Sequence, residues 1–235
     1  MLKALIFDMD GTLSETEELH RLAFNRTFAE FNLGWDWTKP LYRELLSISG
    51  GKERMRDYSR EFGNPISEEL LAEAHAAKTA HYGQLVQSDH LELRSGVKTL
   101  LEAARDEGLK LAIATTSVRL NVERLCQSCF GTDALSIFDV VSTSDCVKHK
   151  KPAPDLYEYA LESLGLDTSE CIAIEDSRVG LLSAKAANLR CVVVPGYYTT
   201  GGDFHEADVV VDGFEVIPTG SAMEELLKKA EAAAA

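Results

Sequence analysis

A chain of 235 residues, 45% apolar and 26% charged, has the make-up of a water-soluble globular enzyme built as one large domain or one domain with an insertion. A net charge of −14 argues against non-specific binding to nucleic acid or to anionic membranes, both of which want a basic surface. No apolar run reaches the roughly 18 residues that a membrane-spanning helix needs, and five cysteines are an odd number for a disulfide framework.

In chain order, residues 3–7 (KALIF) read as a first strand. Residues 1–7 are too short for a secretory signal, which points to a cytoplasmic or plastid-stroma-like setting. Without an export signal, the glycosylation pattern Asn25-Arg26-Thr27 is read as chance. Residues 14–92 contain no convincing strand, and helical periodicity dominates them. Residues 15–31 put Leu19, Leu22, Ala23, Phe24, Thr27 and Phe28 largely on one face; residues 52–62 and 68–86 are further helices, separated by Gly63-Asn64-Pro65.

From residue 97 onward, strands and helices alternate. The expected strands are 110–114 (KLAIA), 138–141 (FDVV), 171–174 (CIAI), 191–194 (CVVV) and a weaker 208–211 (DVVV). The expected helices are 97–107, 120–129, 156–164, 179–187 and 222–232. Near-continuous apolar strands suit burial on both faces, so the pattern predicts an α/β fold. Its core is a doubly wound, Rossmann-like parallel sheet, with a small helical domain inserted after strand 1. The expected division is a core of residues 1–13 and 93–235 and an insertion of residues 14–92. Cys126 and Cys129 have C-x-x-C spacing but lack a second ligand pair and the flanking residues of a redox motif. They, with Cys146, Cys171 and Cys191, are read as buried small hydrophobes.

The sharpest chemical feature is Asp8-Met9-Asp10-Gly11-Thr12-Leu13, directly after the first strand. Two carboxylates two residues apart can face one cavity if the chain turns, and Gly11 makes the turn easy. A solvated acidic turn is the bland alternative, and three later segments weigh against it. Thr115-Thr116-Ser117 ends a strand with hydroxyls and N–H groups suited to a phosphoryl oxygen. Lys151-Pro152-Ala153-Pro154 pins a lysine at the start of a helix, and Glu175-Asp176-Ser177 brings a second acidic pair to a strand's end. A cation would hold the two acidic clusters together; hard oxygen ligands beside an anionic substrate favour Mg2+.

Taken in order, DxDGTL, a Thr/Ser segment after a strand, KPxPD and EDS resemble the haloacid dehalogenase superfamily of phosphotransferases, from Met1 to about Gly213. The resemblance implies that Asp8 is the nucleophile that becomes an aspartyl phosphate. It implies that Asp10 protonates the leaving oxygen and then activates water. Mg2+ would be held by Asp8, the main-chain carbonyl of Asp10 and Asp176, with Glu175 a further metal candidate. Thr115, Thr116 and Lys151 would grip the phosphoryl oxygens.

The insertion resembles the small cap of the β-phosphoglucomutase-like branch of that superfamily, matching it in spacing over residues 14–20 (SETEELH). This implies that His20 helps to position the acid/base residue and that Glu17, one helical turn earlier, binds a sugar hydroxyl. Gly50, Gly51, Lys52 and Arg54 lack the spacing of a nucleotide-binding loop and suit a second, non-reacting phosphate. His75, Lys78, Ser117 and Arg119 complete the candidate substrate contacts. Within the branch, the arrangement resembles the CbbY-type sugar phosphate phosphatases. That implies a ketopentose bisphosphate substrate, xylulose 1,5-bisphosphate giving xylulose 5-phosphate, and a metabolic link to Rubisco. No protein partner is implied, and the chain is expected to be a monomer. The alternative is a phosphosugar mutase that uses the same aspartyl phosphate; a receiver-type phosphoacceptor domain is a more distant one.

Overall fold

In the computed structural model, which describes residues 1–62, 65–88 and 91–234, the chain divides into two units. One is Thr16–Leu91 and the other joins Met1–Glu15 to Glu92–Ala235. The first of these carries helices α1 (Glu17–Glu30), α2 (Lys39–Leu45), α3 (Gly51–Glu61) and α4 (Glu68–Ser88). The second carries α5 (Val97–Asp106), α6 (Arg119–Phe130), α7 (Asp155–Leu164), α8 (Arg178–Ala186) and α9 (Gly220–Ala234). Its strands are β1 (Ala4–Phe7), β2 (Lys110–Ala114), β3 (Val140–Ser142), β4 (Cys171–Glu175), β5 (Arg190–Val193) and β6 (Val209–Val210). No helix among the described residues is long and apolar enough to cross a membrane.

The strands form one parallel sheet in the order β3-β2-β1-β4-β5-β6. A strand's two-residue period sends alternate side chains to opposite faces. Leu5, Phe7, Leu111, Ile113, Ile172 and Ile174 enter one apolar layer with Leu100 and Leu101 of α5, Val122 and Leu125 of α6 and Met223 and Leu227 of α9. Ala4, Ile6, Ala112, Ala114 and Ala173 enter the other with Leu156 and Tyr157 of α7 and Leu181 and Ala184 of α8. Each Leu, Ile or Phe so buried contributes ~1.5–3 kcal/mol. This is the predicted doubly wound α/β sheet.

The chain order of the sheet reverses between β1 and β4, the kind of crevice in which open α/β sheets bind ligands. Register places Phe7 beside both Ile113 and Ile174, so Asp8, Ala114 and Glu175 follow at one level. Strand β3 starts at Val140, two residues later than expected. At Asp139 a side chain stands in for the ladder: its carboxylate accepts from the Leu111 N–H at 2.9 Å.

In the helical unit, Leu19 and Ala23 of α1 pack on Tyr82, Leu85 and Val86 of α4. Beside them Trp37 lies 4.6 Å from the Phe24 ring and 4.8 Å from Phe28. Asn25 bonds the Trp37 backbone from both ends of its amide, donating to the carbonyl and accepting from the N–H, so its side chain already has a structural task. Helix α2 is absent from the sequence expectation. Its signals are local, Thr38 accepting from the Leu41 N–H and Pro40 in the first turn, and it is too short to display a helical period. Helix α1 begins at Glu17 rather than residue 15, and the expected spacer Gly63-Asn64 lies outside the described residues.

Cys126, Cys171 and Cys191 are buried, and Cys129 is half-buried. Burial pushes the Cys126 thiol up to about 12 and those of Cys129 and Cys171 to about 11, which suits inert packing groups. Cys146 departs from the expectation: it is exposed, in the loop after β3.

Candidate active site

Beyond β1 the chain turns at Gly11, where φ is +85°. The turn is closed by the Gly11 N–H donating to Ser14 O at 2.8 Å and the Leu13 N–H donating to Met9 O at 2.9 Å. Met9 is buried in the apolar layer. Its neighbours Asp8 and Asp10 carry the polar contacts. The Asp8 N–H donates to Ile174 O at 2.9 Å, tying the residue to β4. Its Oδ1 accepts from Lys151 Nζ at 2.7 Å. The same ammonium donates to Glu175 Oε1 at 2.5 Å, and that oxygen also accepts from the Tyr157 hydroxyl at 2.6 Å.

Asp10 is held from the loop after β2. Ser117 Oγ donates to Asp10 Oδ2 at 2.6 Å, the Ser117 N–H donates to Thr115 Oγ1 at 3.1 Å, and the Thr115 N–H donates to Ser142 O at 3.0 Å. On the other side, Asp176 Oδ2 accepts from Thr199 Oγ1 at 3.0 Å and its Oδ1 from Thr12 Oγ1 at 3.5 Å. The structure thus brings Asp8, Asp10, Thr115, Ser117, Lys151, Glu175 and Asp176 to one edge of the sheet, at the reversal between β1 and β4.

Charge does not balance there. Asp8, Glu175 and Asp176 are buried and offer carboxylate oxygens within 4.8 Å of one another, while Lys151 supplies a single positive charge among them. Burial, outweighing the attraction of Lys151 and aided by the Glu175 charge, pushes the Asp8 carboxyl up to about 7. Burial works against the Lys151 ammonium, but Asp8 and Glu175 together hold its pKa above the ordinary lysine range. One Glu175 oxygen, Oε2, is buried with no hydrogen-bond donor. A set of hard oxygen donors with surplus negative charge fits a small divalent cation such as Mg2+. Among the described residues the other such cluster, Asp203, His205 and Glu206, is largely exposed, and Arg178 is paired with both of its carboxylates.

The remaining predicted residues sort differently. Thr116 is half-buried beside Thr115. Arg119 donates from Nε to Glu123 Oε1 at 2.7 Å, one turn along α6. In the helical unit, Lys78 Nζ lies 2.6 Å from His20 Nδ1, with both side chains buried. An ammonium can only donate, so Nδ1 accepts and the ring hydrogen is assigned to Nε2. His20 stacks on Tyr82 with ring centroids 3.9 Å apart, and Lys78 lies over the Phe24 ring at 4.5 Å.

Glu17 Oε2 accepts from the Tyr42 hydroxyl at 2.7 Å, and that hydroxyl accepts from Arg54 Nη1 at 3.0 Å. Arg54 also donates to Leu45 O at 2.9 Å and to Ile48 O at 3.1 Å. Its guanidinium therefore braces the turn before α3 from inside. Lys52 is half-buried in the same turn. Gly50 has φ +89°. A Cβ on Gly51 would stand 3.0 Å from the Phe24 ring and 3.2 Å from His75 Nε2, so Gly50 has a backbone reason to be there and Gly51 a packing one.

Sequence reasoning missed Tyr157, Thr199, Gly180 and Tyr42. Gly180 permits the Glu175 pose, since a Cβ there would overlap the carboxylate. Its only sequence signal is a glycine inside the first turn of a predicted helix. Tyr157 and Thr199 act across long sequence separations and carry no local signal.

A family model for haloacid dehalogenase-like hydrolases matches residues 5–194. Protein CbbY of Rhodobacter capsulatus is 51% identical over 207 residues, covering 88% of this chain and 91% of that protein. A crystal structure of CbbY from Rhodobacter sphaeroides with phosphate superposes with a TM-score of 0.90 at 44% identity, covering 95% of this chain and 100% of that one. A second structure of that protein, an aspartate-to-asparagine mutant with xylulose-(1,5)bisphosphate, gives a TM-score of 0.89 at 45% identity, over 95% and 99% of the two chains.

Proposed function

This chain belongs to the haloacid dehalogenase-like hydrolases, and on that premise we propose that it is a Mg2+-dependent sugar bisphosphate phosphatase acting through an aspartyl phosphate on Asp8. The observation that carries the reading is the buried Asp8–Lys151–Glu175 chain beside Asp176, with Asp10 held by Ser117 at the same sheet edge.

A carboxylate oxygen of Asp8 attacks phosphorus, and the bond from phosphorus to the sugar oxygen breaks as Asp10 delivers a proton to that oxygen. Asp10, now ionised, takes a proton from water; the water oxygen attacks phosphorus and Asp8 leaves as a carboxylate. Ser117 keeps Asp10 in one orientation for both transfers. Thr115, Thr116 and Lys151 meet the charge on the phosphoryl oxygens. Asp8, the Asp10 carbonyl and Asp176 would hold Mg2+, which when bound supplies positive charge against the repulsion between nucleophile and phosphate. Glu175, engaged by Lys151 and Tyr157 through one oxygen and enclosed against Gly180 by the other, would support that site from behind.

We read the helical unit as a cap. Glu17, His20 and Lys78 would meet sugar hydroxyls, and the Gly50–Lys52 turn at the start of α3, with His75 and Arg119 as further candidates, a second phosphate. The CbbY structure with xylulose-(1,5)bisphosphate supports a ketopentose bisphosphate as the substrate class. The test is a panel of sugar mono- and bisphosphates with Mg2+ and with a chelator, following free phosphate and sugar isomers separately. Phosphate release from a ketopentose bisphosphate, lost on chelation, is expected. Stoichiometric isomer without free phosphate would make the protein a mutase.

A further inference from the structure

Arg94 lies outside every motif, yet its side chain gathers acceptors from two separate loops. Nη1 donates to Gly11 O at 2.5 Å and to Val194 O at 2.8 Å, and Nη2 donates to Pro195 O at 2.8 Å. Nε faces Glu15 Oε1 at 3.4 Å, the backbone N–H donates to Leu13 O at 2.9 Å, and the guanidinium lies over the Phe214 ring at 5.1 Å. Glu15 in turn accepts from the Tyr197 N–H at 3.0 Å. One planar cation thus joins the turn after Asp8 and Asp10 to the loop after β5.

Those two loops are the walls on either side of Asp176. A Cβ on Gly11 would overlap the Asp176 carboxylate. A Cβ on Gly196 would stand 3.2 Å from Asp176 Oδ2 and 3.1 Å from Gly11 O. The Gly196 loop also carries Thr199, whose hydroxyl donates to Asp176 Oδ2. The spacing of the two backbones therefore sets the Asp176 carboxylate, and three converging carbonyl dipoles would push those backbones apart without a donor between them. A guanidinium fork serves all three carbonyls in one plane, whereas an ammonium is a point donor on a thinner stem.

We propose that Arg94 is a positioning residue for the cation site, aiming Asp176 by clamping the loops at residues 11–15 and 194–197. This rests on reading the Asp8–Asp176 cluster as the Mg2+ site. Groups that orient metal ligands from outside the coordination shell change metal affinity by roughly 10–100-fold when removed. Arg94 acts one contact further out and should fall at the low end.

The test measures Mn2+ affinity of the full-length, metal-free protein from the free-ion paramagnetic resonance signal, alongside the thermal midpoint. The proteins compared are wild type, Arg94→Met, Arg94→Lys and Asp176→Asn. Arg94→Met should weaken Mn2+ binding about tenfold and Arg94→Lys about threefold at temperatures where both are fully folded, with Asp176→Asn losing about a hundredfold or more. A merely structural arginine would lower the midpoint and leave the affinity of the folded protein alone. Mn2+ affinity within experimental error of wild type in a folded Arg94→Met protein, with Asp176→Asn impaired, overturns the role of Arg94. Arg94→Lys decides in the same way where the Met variant does not fold. Undiminished Mn2+ binding by Asp176→Asn instead overturns the cation site itself.

Discussion

Replacing the proposed nucleophile should make the metal-free protein more stable, and only at neutral to alkaline pH. Asp8 shares a buried space with Glu175 and Asp176 and one ammonium, and its carboxyl is pushed from the ordinary 3.8 to about 7. Between about pH 4 and pH 7 the folded protein keeps a proton on Asp8 that the unfolded chain has released. Folding stability therefore falls as pH rises through that window. At ~1.4 kcal/mol per pH unit, the loss is at most about 4 kcal/mol once both states are ionised. Asp8→Asn carries no charge to bury and escapes the loss, and for a chain of this size that is a rise of up to roughly 8–16 °C in thermal midpoint. Scanning calorimetry of both proteins in chelator should find similar midpoints at pH 4 and a higher one for Asp8→Asn at pH 8. Turnover should be abolished. A variant equal to or less stable than wild type at pH 8, or a difference that ignores pH, would refute the charge accounting at this site.

Three further outcomes follow from the same geometry. Lys151→Met leaves two buried carboxylates without their cation and should cost about 3–5 kcal/mol at pH 8, less at pH 5, with part recovered in Lys151→Met/Glu175→Gln; urea unfolding checks this. Gly180→Ala sets a methyl group on the Glu175 carboxylate and should cost about 1–3 kcal/mol. It should also lower phosphate release by breaking the Glu175–Lys151–Tyr157 chain, as a coupled stability and rate measurement would register. Of the five thiols, only Cys146 should react rapidly with a thiol reagent at pH 8 in the native protein, and all five after unfolding; rapid loss of the Cys126–Cys129 pair would reopen a redox role.

The sheet was legible because its strands are short apolar runs whose two faces are both buried, a pattern that leaves little room for other periods. The reactive residues were legible for a related reason: Asp8, Thr115 and Glu175 sit one residue past the apolar stretch, where a parallel sheet must place its ligand-facing groups. What escaped is what acts through space. Tyr157 and Arg94 are distant in sequence from the residues they hold, and neither belongs to a motif. The bracing contacts of Arg54 were not legible either, because a cation beside two glycines carries no sign in the sequence that it donates to Leu45 O and Ile48 O. Helix α2 was lost because seven residues do not complete two turns of a repeating pattern.

The central claim is that phosphorus passes through Asp8. Rapid acid quenching during turnover of a radiolabelled sugar bisphosphate, borohydride reduction of any acyl phosphate and peptide mapping would locate the intermediate. Conversion of Asp8 to homoserine, absent without substrate and absent in Asp8→Asn, is the predicted result. A modified residue elsewhere in the chain, or direct transfer to water with no acyl phosphate under single-turnover conditions, would contradict the account.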